Sequence, residues 1–299
     1  MSDQTSPAGF ATPQLRKFGL AAGGVVICFA VPLWRLARFA ANDELFSYIL
    51  LIPFLCAYLA WLQKKNLPAA SPPAKMLAVP AIAGGLALTA WSWLAAGPAA
   101  DHLALTTLSF LLFLTGAGCL ILGGAMMRAL AFPFAMLVFM VPFPVFFRQA
   151  LETGLQHGSA FCADWMFTVS DVPTLRTGLV FQLPNISLQV APECSGIHST
   201  MVLFITSLVA GHFFLRRPWP RVVLCLAVIP LALLRNGFRV FVLGELCTHL
   251  GPQMIDSPIH HRGGPIFFVL SLIPFFLLLY FLIKCGRPKN SGRPPAIQN

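Results

Sequence analysis

Cys194 stands in the stretch VAPECSGIHST, with the acid Glu193 before it and the hydroxyl of Ser195 after it, just ahead of an apolar run. A cysteine that only packs belongs more naturally inside such a run. Farther along, RNGFRV puts Arg235 and Arg239 four residues apart, on one face of any helix that holds them, with Asn236 close by. The stretch HHRGGPIFF then places His260 and His261 immediately before the last apolar run. Each type suits one step of acyl transfer. A thiol becomes a good nucleophile once ionised, and nearby positive charge lowers its pKa. An imidazole can carry a proton to a leaving amine. An arginine is no base, but its fixed fork can stabilise an oxyanion or hold a peptide backbone. Brought together, these groups specify cleavage of a peptide bond through a thioester.

The elements that must position them are membrane helices. Of the 299 residues, 57% are hydrophobic and 10% are charged, where a soluble domain carries about a quarter charged residues. Crossing the hydrocarbon takes ~20 apolar residues as a helix. Candidate spans fall near 18–34, 45–62, 76–95, 103–123, 129–147, 195–214, 222–243 and 264–283, with Pro133, Pro142 and Pro144 interrupting the fifth. Arg16 and Lys17 precede the first run as they would in a signal peptide, but no small-residue cleavage site follows, so it reads as a membrane helix. The expected fold is an all-α polytopic membrane protein, a bundle of about eight transmembrane helices. A disordered tail over 1–15, a membrane body over 16–285 and a basic tail over 286–299 complete the expected organisation.

The net charge of +10 raises the question of nucleic acid. With the N-terminus in the cytoplasm and each span changing sides, thirteen of the 20 basic residues collect on the cytoplasmic side, as the positive-inside rule requires. Both termini then lie in the cytoplasm. No soluble domain is left to carry a nucleic-acid surface.

Two stretches on the opposite side are too long to be turns. The first, 148–193, opens with QALETGLQHGSAFCADWMF, whose apolar spacing predicts an interfacial helix. It continues as TLRTGLVFQLPNISLQVAPE, whose alternation around Leu-Pro-Asn predicts a short extracytoplasmic β-hairpin leading to Cys194. The second, 244–263, carries Glu245, His249, Asp256, His260, His261 and Arg262. Cys194 heads the sixth span and His260 the eighth. Arg239 lies about 27 Å along the seventh, counted from Arg221 at 1.5 Å per residue. All three therefore reach one depth.

Of the eight cysteines, Cys28, Cys56, Cys119 and Cys225 sit inside apolar runs as small hydrophobes. Cys162, Cys194 and Cys247 fall where a disulfide is permitted. No CxxC or zinc-type Cys/His spacing occurs in the sequence, so neither a metal nor another cofactor is expected. Taken singly, each site residue has a plainer role: a structural thiol, an interfacial histidine, an arginine snorkelling to headgroups. The shared depth favours the joint role.

The order VAPECSGI, RNGFRV, HHRGGPIFF at the ends of successive spans resembles the exosortase/archaeosortase family of integral membrane transpeptidases. FSYILLIPFLCAYLAW, AFPFAMLVFMVPFPVFF and RTGLVFQLPNISLQV are similar to further stretches of that family, and the likeness covers about residues 40–285. The resemblance implies that Cys194 is the nucleophile, Arg239 the arginine of an Asn-x-x-Arg element and His260 the proton donor, with His261 its rival. Glu193, Ser195, Asn236 and Arg235 are possible supporting residues; Arg235 has no place in that motif and is either structural or lipid-binding. Ser47-Tyr48 and Pro265 depart from the family pattern. The resemblance further implies a bacterial inner-membrane enzyme with its site at the periplasmic face. It would cut a PEP-CTERM-type tail (motif, helix, basic cluster) from exported proteins and pass them to an envelope acceptor. The family is often linked to exopolysaccharide systems. Exported proteins, an acceptor and membrane lipids are the partners expected.

Two rival readings come from other classes. A transporter would use charged groups at the bilayer midplane and broken helices there, and the Pro-rich fifth run keeps it in view. A thiol oxidoreductase would pair Cys194 with Cys162 or Cys247, but leaves Arg239 without a role.

Overall fold

Helices make up most of the chain, and the computed structural model describes residues 13–68, 71–94, 97–184, 186–190, 196–251, 253 and 264–286. Two compact units divide it, Met1–Arg148 and Gln149–Asn299. Among the described residues, six helices are long and apolar enough to cross a membrane, or eight if each of two bent pairs is one span. The chain is an all-α, multi-pass membrane protein, as its composition led us to expect.

The first unit holds α1 (Pro13–Cys28), α2 (Ala30–Asn42), α3 (Ile52–Leu62, entered through the 3-10 turn Glu44–Leu50), α4 (Lys75–Leu94), α5 (Ala99–Ile121), α6 (Gly123–Ala129) and α7 (Ala131–Met136). The run 18–34 reads as one continuous helix in sequence, but α1 and α2 meet at an angle of 73°. Pro32 supplies the cause: it has no N–H for the Cys28 carbonyl one turn back, and its ring crowds that carbonyl. Pro133 acts in the same way on the Ala129 carbonyl, and the chain bends by 67° between α6 and α7. Helices α4 and α5 are joined by hydroxyls. Ser109 Oγ donates to the Gly85 carbonyl at 2.8 Å and lies 2.6 Å from Thr89 Oγ1, the polar contact expected between helices whose apolar faces gain little from leaving lipid.

The second unit holds α8 (Val145–Val169) from Gln149 onward, the strands β1 (Leu175–Thr177), β2 (Val180–Leu183) and β3 (Ile186–Gln189), then α9 (Ile197–Phe214), α10 (Pro218–Leu250) and α11 (Gly264–Gly286). Helix α8 is the helix expected in the 148–193 stretch, but it starts earlier. Pro142 and Pro144 end the fifth run before it reaches 147, and the Arg148 N–H closes a first turn on the Pro144 carbonyl at 3.0 Å.

The single hairpin expected before Cys194 is a three-stranded antiparallel sheet in the order β1-β2-β3. A second turn signal lies at Gly178, whose φ of 65° suits the tight loop joining Thr177 to its partner Val180. Alternation sorts the faces: Phe181, Leu183 and Leu188 are buried, while Gln182 and Ser187 are exposed.

Helix α10 has 33 residues, about 50 Å at 1.5 Å per residue, against a hydrocarbon core of about 30 Å. It runs past the expected end at 243, so 244–250 are helix rather than loop. The sheet and α8 explain the extension. Val240, Leu243 and Cys247 share one buried cluster with Phe167 of α8 and Phe181 and Leu188 of the sheet. Phe167 sits 5.5 Å from the Phe181 ring and 5.2 Å from that of Phe241. Glu245 and His249 then ride on the last turns of α10 as an i,i+4 pair at 3.2 Å.

Candidate functional site

Cys194, Glu193, Ser195, His260 and His261 lie outside the described residues. The described residues on either side of them, and the whole of RNGFRV, are placed in the second unit.

Helix α9 is opened by Gly196, its N-cap, with φ 69° and ψ 16°. Only glycine adopts that left-handed conformation without strain. Space makes the same demand. A Cβ at this position would lie 3.0 Å from Arg235 Nη2 and 3.2 Å from Asn236 Oδ1. The Gly196 carbonyl accepts from the Thr200 N–H at 3.0 Å, Thr200 Oγ1 at 2.8 Å, Ser199 Oγ at 3.1 Å and Arg235 Nη2 at 3.1 Å.

Arg235 reaches that carbonyl because α9 and α10 run antiparallel. At their other ends Gly211 faces Arg221, which in turn donates from Nε to the Leu215 carbonyl at 2.8 Å. About four turns farther the same two helices bring Gly196 to Arg235. Arg235 is 9% exposed and Asn236 3%, both buried. Its Nη2 also approaches Thr200 Oγ1 at 3.4 Å, and its Nη1 is buried with no hydrogen-bond partner among the described residues. No described carboxylate pairs with it; Asp164 pairs with Arg176 at 3.6 Å, and Glu245 with His249.

Arg239 follows one turn later on the same face of α10. At that level α11 arrives: the Phe267 ring, in the first turn of α11, stands edge-on to the Phe238 ring at 6.0 Å. The start of α9, two residues after Cys194, and the start of α11, just after His260 and His261, therefore both meet α10 within the turn that carries Arg235, Asn236 and Arg239.

The entry to the Cys194 segment is held separately. Val190, after β3, is 1% exposed. Its N–H donates to the Leu179 carbonyl at 2.9 Å, and its carbonyl accepts from Gln156 Nε2 of α8 at 3.2 Å. Sequence reasoning passed over Gln156. The signal was its position on the arc of α8 shared by Leu155, Ser159, Ala160 and Ala163, all buried.

Cys162 and Cys247 do not form the pair the sequence permitted. A Cβ on Gly237 would lie 2.6 Å from Cys162 Cβ, which fixes Cys162 beside α10 at that level. Cys247 is about 15 Å farther along the axis, beyond the ~7 Å Cα separation a disulfide can bridge. Both thiols are free. Burial pushes the Cys162 thiol up from its ordinary value. Among the described residues no group of three His, Cys, Asp or Glu side chains is placed to hold a metal ion.

A family model described as transmembrane exosortase matches residues 34–277, which takes in both units. No curated protein and no solved structure matches the chain.

Proposed function

The chain belongs to the transmembrane exosortase family, membrane transpeptidases acting on sorting signals, and from that premise we propose that it cuts PEP-CTERM-type tails from exported proteins with Cys194 as nucleophile. The Cys194 thiolate attacks the carbonyl carbon of a peptide bond near the sorting motif. Arg239 stabilises the tetrahedral oxyanion, and His260 gives a proton to the leaving amine as the C–N bond breaks. An acceptor nucleophile from the envelope then attacks the thioester, releasing the thiolate and completing the transfer. His261 is the alternative proton donor. Glu193, Ser195 and Asn236 shape the surroundings of the thiol.

One observation carries this reading. Gly196, two residues after Cys194 in sequence, lies against Arg235 and Asn236 of α10, and Phe267, seven residues after His260, lies against Phe238 within the same turn. A substrate tail held in the bilayer as a helix would present its junction at one depth, and a site between helix ends suits that geometry. The positive-inside pattern supports an inner-membrane enzyme with cytoplasmic termini and its site at the periplasmic face.

The test is loss of the tail in cells. A tagged exported protein with such a tail, from the same genome, is expressed with wild-type enzyme, Cys194→Ala, Arg239→Ala or His260→Ala, and its size followed by blot and intact mass. Tail loss should occur with the wild type and disappear in the first two variants. Equal tail loss with Cys194→Ala removes the nucleophile assignment. The mass of the new end separates hydrolysis from transfer.

A further inference from the structure

Val190 and Gly196 are the described positions that flank the Cys194 segment, and a buried polar side chain from a different helix holds each one. Gln156 of α8, 7% exposed, donates to the Val190 carbonyl at 3.2 Å. Arg235 of α10, 9% exposed, donates to the Gly196 carbonyl at 3.1 Å. Polar side chains inside an apolar bundle are costly and are kept where they do something. Neither of these bonds closes a helix or a strand. Both span long sequence separations and both end on main-chain carbonyls at the two edges of one short segment.

We infer that Gln156 and Arg235 are positioning residues that clamp the two ends of the Cys194 segment and so aim its thiol. The inference rests on Cys194 as the nucleophile of the proposed function. Neither side chain needs to touch substrate. The effect is one of geometry, and a misplacement of about 1 Å can lower a rate by about a hundredfold. Gln156→Met and Arg235→Met keep much of the side-chain bulk and remove the donors. Arg235→Lys keeps one donor able to reach the Gly196 carbonyl.

The experiment uses full-length enzyme in lipid nanodiscs with a peptide carrying motif, helix and basic cluster. Two quantities are read: kcat and KM for tail release, and the rate of Cys194 alkylation by a small maleimide, followed at that residue by peptide mass spectrometry. The clamp predicts a fall in kcat of at least tenfold in Gln156→Met and Arg235→Met, with KM within about twofold. It also predicts that Arg235→Lys recovers most of the lost kcat, and that Cys194 alkylation changes at least threefold in both methionine variants while alkylation of the remote Cys285 does not. Unchanged kcat and unchanged Cys194 alkylation in Gln156→Met and Arg235→Met overturn it, as does a rise in KM at constant kcat. If Arg235→Met does not accumulate, Arg235→Lys and Gln156→Met decide by the same readouts. The alkylation needs no turnover, so it separates the two ideas. Tail loss that persists in Cys194→Ala removes the nucleophile, whereas altered Cys194 alkylation in the clamp variants still shows the segment held by these two side chains.

Discussion

Arg235 donates from Nη2 to the carbonyl oxygen of Gly196 at 3.1 Å, tying the middle of α10 to the N-cap of α9. One guanidinium thereby sets where the sixth span begins relative to the seventh, two residues from Cys194. The arginine has no described carboxylate partner, and its charge is met by a carbonyl and a hydroxyl.

Gly196→Ala tests this junction. A non-glycine residue in the left-handed region costs about 1–2 kcal/mol, and the new Cβ would press on Arg235 Nη2 and Asn236 Oδ1 at 3.0 and 3.2 Å. The variant should melt several degrees below wild type and release tails at least tenfold more slowly. Wild-type melting and rate together would show that the junction yields without consequence.

Gly237→Ala probes the other face of α10. Its Cβ would meet Cys162 Cβ at 2.6 Å and main-chain atoms of Ala163 and Ser159 at 3.0 Å. Backbone cannot turn aside as a side chain can, so overpacking of about 1–3 kcal/mol is expected. Gly154→Ala on α8, where nothing lies within 4 Å, should be neutral or slightly stabilising. Thermal unfolding in one detergent compares the two.

Cys162 carries a pH signature. Burial raises its thiol pKa, so at any given pH less thiolate is present in the folded protein than in the denatured one. Its alkylation should reach half its maximal rate at a higher pH when folded. The contribution of this group to stability is present below the denatured-state pKa and is lost as pH rises through the folded one. Copper-catalysed oxidation should produce no Cys162–Cys247 bridge, which non-reducing peptide mapping reads directly.

Orientation can be read at Cys285, which is free and exposed at the end of α11. A cytoplasmic C-terminus predicts that a membrane-impermeant maleimide labels Cys285 only after the cells are permeabilised. Labelling in intact cells would reverse the assignment of sides.

The sequence made some of these relationships visible and hid others for physical reasons. Arg235 and Arg239 could be put on one face because helical spacing is local. What Arg235 binds could not, because its acceptor lies 39 positions away and a main-chain carbonyl leaves no mark on residue type. Gln156 was hidden by its own polarity: in an amphipathic pattern a glutamine counts as solvent-facing, although its neighbours on the arc are buried. The break at Phe29 was hidden because hydropathy registers Pro32 as one more tolerable residue and not as a missing donor. The length of α10 was underestimated because the polar residues Glu245, Thr248 and His249 resemble a loop until the sheet that covers Val240, Leu243 and Cys247 is in place. Cys194 and His260 themselves stand on sequence and family grounds and lie outside the described residues.

A thioester on Cys194 would be seen in the mass of the peptide that contains it. Purified enzyme is incubated with a tail-bearing substrate, quenched in acid and digested. The Cys194 peptide is expected to be heavier by the substrate portion N-terminal to the cut, an addition removed by neutral hydroxylamine and absent in Cys194→Ser. Efficient tail release with Cys194 unmodified under every quench, and undiminished in Cys194→Ser, would contradict it.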